Sequence, residues 1–89
     1  MCLKLRLSPS LNNEVGSQLE FELNGVTVGE CLEKTKHHYP DVAEKIWKQG
    51  CLNSQVLLFH NNTLVREHDF STIVEDKDVL DVIPAIEGG

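Results

Sequence analysis

Residues 18–40 read QLEFELNGVTVGECLEKTKHHYP, and within them the spacing of apolar side chains changes once. Leu19, Phe21 and Leu23 alternate with Glu20 and Glu22, the two-residue period of a strand with one buried and one wet face. After Asn24 and Gly25 the spacing lengthens. Val28, Cys31, Leu32, Thr35 and Tyr39 recur at three- and four-residue steps, the stripe of an amphipathic helix. Thr27 and Glu30 have the spacing of a capping box, in which each side chain satisfies a free backbone N–H of the other. Pro40 stops the helix, because the residue before a proline is pushed out of helical geometry.

Toward the N-terminus, CLKLRL alternates in the same way, with Leu3, Leu5 and Leu7 on one face and Cys2, Lys4 and Arg6 on the other. This strand and the one at Leu19 to Leu23 form an antiparallel pair, joined by the turn-rich SPSLNNEVGS. Beyond Pro40, Asp41 caps a second short helix, in which Val42, Ala43, Ile46 and Trp47 share a face and Gly50 marks the exit. SQVLLFHNNTLV then reads as a strand, a turn at His60-Asn61-Asn62 and a short following strand. REHDFSTIVEDKD is a loop with Phe70 and Ile73 as its anchors, and VLDVIPAI is the closing strand. The expected order is β-β-α-(α)-β-β-β. One-sided strands around a helical crossover require the helices to pack on a single face of a mixed sheet, an α+β, β-grasp arrangement. Residues 1–89 read as one domain.

In that register Leu80 and Val82 point inward, and Asp81 and Ile83 lie on the open face. Leu57 and Phe59 are expected inward and Leu58 outward, which brings Leu58 beside Ile83 as an apolar docking pair. Pro84 cannot donate a ladder hydrogen bond and marks where pairing ends. The five residues after it, Ala85 to Gly89, span about 16–18 Å when fully stretched.

The net charge of −6, with only eight Lys and Arg residues and no basic run, argues against nucleic acid and suits a basic protein partner. The N-terminal residues have no apolar stretch of signal-peptide length. No segment approaches the roughly 18 consecutive apolar residues of a membrane span. A cytoplasmic protein with no membrane contact is the expectation. Cys2, Cys31 and Cys51 are odd in number and widely spaced, without the pairing of a disulfide framework or zinc site. His37 and His38 are adjacent and diverge on a helix, so no metal site is expected. Asp76 and Asp78 read as solvated loop carboxylates, and no catalytic constellation emerges.

Three stretches carry a resemblance over the whole chain: GVTVGECLEKTKHHYPDV, VLLFHNNTLV and EDKDVLDVIPAIEGG. The sequence resembles the ubiquitin-like sulfur carriers, the family of the molybdopterin synthase small subunit and the thiamine sulfur carrier. It departs from them at Asp76-Lys77-Asp78, where the family often has an acidic residue, a glycine and an aspartate. The resemblance implies that Gly89 is the reacting residue and Gly88 its narrow neighbour, with Leu58, Ile83, Pro84 and Ile86 as partner-binding residues. It implies a ubiquitin-activating-like adenylyltransferase that uses ATP, a sulfur donor protein, and a larger synthase subunit or another sulfur acceptor. The chain itself would bind no cofactor and act as a co-substrate rather than an enzyme. Glycine fits the role because a backbone without Cβ can thread a narrow channel. Molybdopterin formation is the favoured pathway, with thiamine, sulfur amino-acid and tRNA thiolation as alternatives. An isopeptide-forming protein modifier and a plain interaction domain with an inert tail are the rivals.

Overall fold

In the antiparallel pair of β1 (Cys2–Leu7) and β2 (Glu20–Asn24), Leu3 stands opposite Leu23 and Leu5 opposite Phe21, and all four are buried. The computed structural model describes residues 1–11 and 18–85. Helix α1 (Val28–His38) begins where expected, with Glu30 N–H donating to Thr27 Oγ1 at 3.2 Å. The return bond differs by one residue, because Glu30 Oε1 accepts from the N–H of Val26 rather than Thr27. Val28, Cys31, Leu32 and Thr35 are buried beneath the sheet. The Thr35 hydroxyl donates to the Leu32 carbonyl, so its burial leaves no polar atom unmatched. Gly29 sits at close quarters there: its N–H donates to the Phe70 carbonyl, and a Cβ at this position would lie 2.8 Å from Phe70 Cβ.

Helix α2 (Pro40–Ile46) starts with Pro40 itself in its first turn, so Tyr39 and not Asp41 occupies the cap position. Proline suits that place because its missing N–H would have no helical partner anyway. Val42, Ala43 and Ile46 are buried. Gly50 is not the helix exit. Trp47–Lys48 (β3) and Cys51–Leu52 (β4) form a small hairpin, and Gln49 and Gly50 turn it with φ of 54° and 82°. Two successive positive φ values are those of a tight hairpin turn matched to strand twist.

Strands β5 (Val56–His60) and β6 (Thr63–Val65) are joined through Asn61 and Asn62, again both at positive φ. The following loop is anchored by Phe70 and Val74. Ile73 is 60% exposed, whereas Val74 is fully buried and its N–H donates to the Val26 carbonyl. The last strand, β7 (Asp78–Pro84), becomes the middle of the sheet. The order is β2-β1-β7-β5-β6, with β7 parallel to β1 and antiparallel to β5. The mixed sheet with both helices on one face is the β-grasp fold.

Leu80 and Val82 are buried as expected. Leu58 is not on the open face. It is 2% exposed and stands opposite Val82, and residues directly opposite in a ladder share a face. Leu57 and Phe59 therefore point to the open side, the reverse of the expected register.

Candidate functional site

The last described residues, Pro84 and Ala85, lie along β5 at one end of the sheet. Pro84 pairs with Val56, and one further backbone bond runs from Ala85 N–H to the Gln55 carbonyl at 2.9 Å. Pairing thus continues one residue past the proline. Pro84 lines a groove with Leu11, Lys45 and Val56 at this end of the sheet. The expected reacting residues Gly88 and Gly89, and the expected contact residue Ile86, lie outside the described residues.

The open face has two chemically distinct halves. On the β5-β6 side, Leu57 stands opposite Ile83 and Phe59 opposite Leu64. Leu57 and Leu64 are each 36% exposed, and Ile83 and Phe59 are partly covered. This apolar strip begins at Ile83, next to Pro84 and Ala85, the last described residues. Sequence reasoning places Ile83 here correctly, puts Leu58 here wrongly, and misses Leu57, Phe59 and Leu64. The deciding signal is pairing with β7, which no local pattern supplies.

The β2-β1 half is ionic. Arg6 stands between Glu20 and Asp81 in the register, and its guanidinium grips Asp81 with two bonds, Nε to Oδ1 at 2.7 Å and Nη2 to Oδ2 at 3.1 Å. Hydrogen bonding to Asp81, then its charge, raises the Arg6 pKa above its ordinary value. Lys4 lies 3.6 Å from Glu20. Lys4 and Arg6 are thus each matched by a carboxylate of the same face.

At the opposite end of β7 from the tail, Asp78 is not a simple solvated carboxylate. It accepts from the Glu75 N–H at 2.8 Å and from Asn61 Nδ2 at 3.0 Å, and it faces His60 Nε2 at 2.8 Å. These partners, led by the Glu75 N–H, hold its pKa down at about 2. The neighbouring Lys77 has φ of 75°, the left-handed conformation that favours glycine. That is the position at which the sequence departs from the sulfur-carrier pattern, with lysine where that pattern often has glycine.

Among the described residues no three His, Cys, Asp or Glu side chains come together to hold a metal, and no helix is long and apolar enough to cross a membrane. Cys31 is buried on α1, where desolvation pushes its thiol pKa up and makes it a weaker nucleophile. Cys2 is half-buried and Cys51 is exposed on the β3-β4 hairpin.

No curated protein matches the chain. Among solved structures, SAMP1 of Haloferax volcanii matches with a TM-score of 0.78 at 18% identity, covering 100% of both chains. A chain of the Amycolatopsis orientalis BexX/CysO complex matches with a TM-score of 0.77 at 23% identity, covering 98% of this chain and 99% of that one. A chain from the complex of subunits 1 and 2 of the Helicobacter pylori molybdopterin-converting factor matches with a TM-score of 0.62 at 18% identity, covering 100% of both. At these identities the likeness is one of fold, the ubiquitin-like β-grasp. The ThiS family model matches residues 7–89, from the last residue of β1 to the final glycine, and the chain belongs to the ThiS family.

Proposed function

We propose that the protein is a sulfur carrier whose Gly89 α-carboxyl group is converted to a thiocarboxylate, with molybdopterin formation as its pathway. The carrying observation is the coincidence of a Gly-Gly terminus with a tail root set at the edge of an apolar strip, in a chain that the ThiS family matches through Gly89. A terminal carboxyl group ordinarily loses its proton at about pH 3.3–3.7, so at neutral pH it is an ionised, poor electrophile and needs activation. In an activating partner related to ubiquitin-activating enzymes, a carboxylate oxygen would attack the α-phosphorus of ATP, and pyrophosphate would leave. A persulfide sulfur of a donor protein would then attack the acyl carbon and expel AMP, and a second thiol would cleave the acyl disulfide so formed, freeing the thiocarboxylate and leaving the donor in a disulfide with that thiol. The carrier supplies the reacting carboxyl group and no catalytic group of its own.

The body is the handle. Leu57, Phe59, Leu64 and Ile83 would meet the activating enzyme, and later the larger synthase subunit, with Pro84 and Ile86 guiding the tail inward. The Helicobacter pylori neighbour is itself a complex of two molybdopterin-converting factor subunits, which supports a two-subunit assembly. The reaction would take place in the cytoplasm. A second reading draws support from SAMP1, since its Methanosarcina acetivorans counterpart bears the name small archaeal modifier protein. There the same activated Gly89 would acylate a lysine amine.

The intact mass after incubation with ATP, a cognate activating enzyme and a sulfur donor tests the proposal. Exchange of one terminal oxygen for sulfur is the expected result. Conjugates that resist reduction, without that exchange, would favour the modifier. An unchanged mass, with an enzyme competent on another carrier, would leave only an interaction domain.

A further inference from the structure

Asn53 has more partners than a loop asparagine needs. Its Nδ2 donates to the Lys45 carbonyl at 3.0 Å, and its N–H donates to the Ile46 carbonyl at 2.7 Å, so it ties down the end of α2. Its Oδ1 accepts the Gln55 N–H at 3.0 Å, and its own carbonyl accepts the Val56 N–H at 3.2 Å. At the end of the turn so fixed, the Gln55 carbonyl accepts the Ala85 N–H. Hydrogen bonds in series therefore run from α2 through Asn53 and Gln55 to the first residue after the last strand.

We infer that Asn53 is a positioning residue for the reacting end of the chain, acting through the Gln55 carbonyl that holds the Ala85 N–H. The inference rests on the sulfur-carrier reading. With Ala85 tethered, the length open to a partner's channel is the four residues 86–89, at most about 13–14 Å rather than 16–18 Å. The tether also sets the direction from which that length starts, beside Ile83 and the apolar strip. A partner that binds the strip then finds the carboxyl group in a smaller volume, which raises its effective concentration at the adenylylation site. The effect belongs to productive binding and leaves the chemical step alone.

The test combines amide hydrogen exchange with steady-state activation by a cognate activating enzyme and ATP, read as pyrophosphate release. In the unmodified chain the Ala85 amide exchanges slowly. Asn53→Ala releases it and raises KM for the carrier by about two- to tenfold, the equivalent of one net hydrogen bond, with kcat unchanged. Ala85→Pro removes the donor itself and gives the same rise in KM without lowering the unfolding midpoint. The double variant is no worse than either single, as two residues acting through one bond require. An Ala85 amide that exchanges freely in the unmodified chain, an unchanged KM for Ala85→Pro, or additive effects would overturn the positioning role alone. Failure of the unmodified chain to be activated would remove the carrier reading, and this role with it.

Discussion

Leu57 and Ile83 stand directly opposite each other across the antiparallel β5-β7 pair, on the side of the sheet that carries no helix. They, and not Leu58, form the apolar contact beside the tail. Leu57→Arg or Ile83→Arg should weaken partner binding by about tenfold or more, the loss expected of a central interface contact. The unfolding midpoint should barely move. Leu58→Arg should unfold the domain instead, since it would bury a charge opposite Val82. Calorimetric titration with the activating enzyme, paired with thermal melts, separates the two outcomes. An unchanged affinity for both open-face variants would remove the docking role.

Leu80 has no exposed surface and lies in the central strand, so its truncation leaves a cavity that cannot collapse easily. Leu80→Ala should cost about 2–5 kcal/mol of stability. Urea denaturation with an unchanged m-value measures it, and a loss well under this range would mean a looser core.

Lys77 holds a left-handed backbone with a side chain, at a cost of roughly 1–2 kcal/mol. Glycine would relieve that strain while losing about 0.5–1 kcal/mol to its greater unfolded-state freedom. Lys77→Gly should therefore stabilise the fold by up to about 1 kcal/mol. A destabilised variant would show that the turn is not strained.

Asp78 has its pKa lowered from 3.8 to about 2 by the bonds it accepts in the folded state. Its contribution to stability is therefore fully present above about pH 4 and is lost as the pH falls through about 2. Asp78→Asn should flatten the acid limb of the stability curve over that window. Denaturant midpoints between pH 2 and pH 5 give the comparison. An acid limb of the same depth in both proteins would assign the loss to other carboxylates.

Removal of Gly88 and Gly89 should abolish thiocarboxylate formation while leaving the unfolding midpoint nearly unchanged. Among the described residues the buried core closes at Val82, and the last backbone tether is at Ala85. A marked fall in melting temperature would mean that these residues support the fold as well.

Legibility follows the pattern of polar residues. In β1 and β2 a charged or polar side chain separates each buried apolar residue from the next, so one phase alone buries the apolar set, and the register is readable. In β5, Val56-Leu57-Leu58-Phe59 is continuously apolar and either phase is locally acceptable; the choice is made by the pairing of Leu58 with Val82. Ile73-Val74 has the same ambiguity, settled by the Val26–Val74 backbone bond. Of the expected site residues, Ile83 and Pro84 can be placed from the alternation in β7. The tie from the Ala85 N–H to the Gln55 carbonyl is a long-range backbone bond that leaves no mark on composition or spacing. Pro40 and Gly50 are legible as punctuation, but each serves two neighbouring elements, and the sequence does not say which.

The parallel pairing of β1 with β7 joins residues as far apart as Arg6 and Asp81, separated by 75 positions. Of the strands in this sheet, β7 is the last to be synthesised and the one on which both halves depend. Until it emerges, β1-β2 and β5-β6 are two hairpins with nothing between them, and hairpins alone are marginal in water. Folding therefore waits for β7, and long-range closure makes it slow. A nascent or prematurely terminated chain cannot display the apolar strip in its assembled form. The folded body thus reports that β7 has been made, a check that no enzyme has to perform.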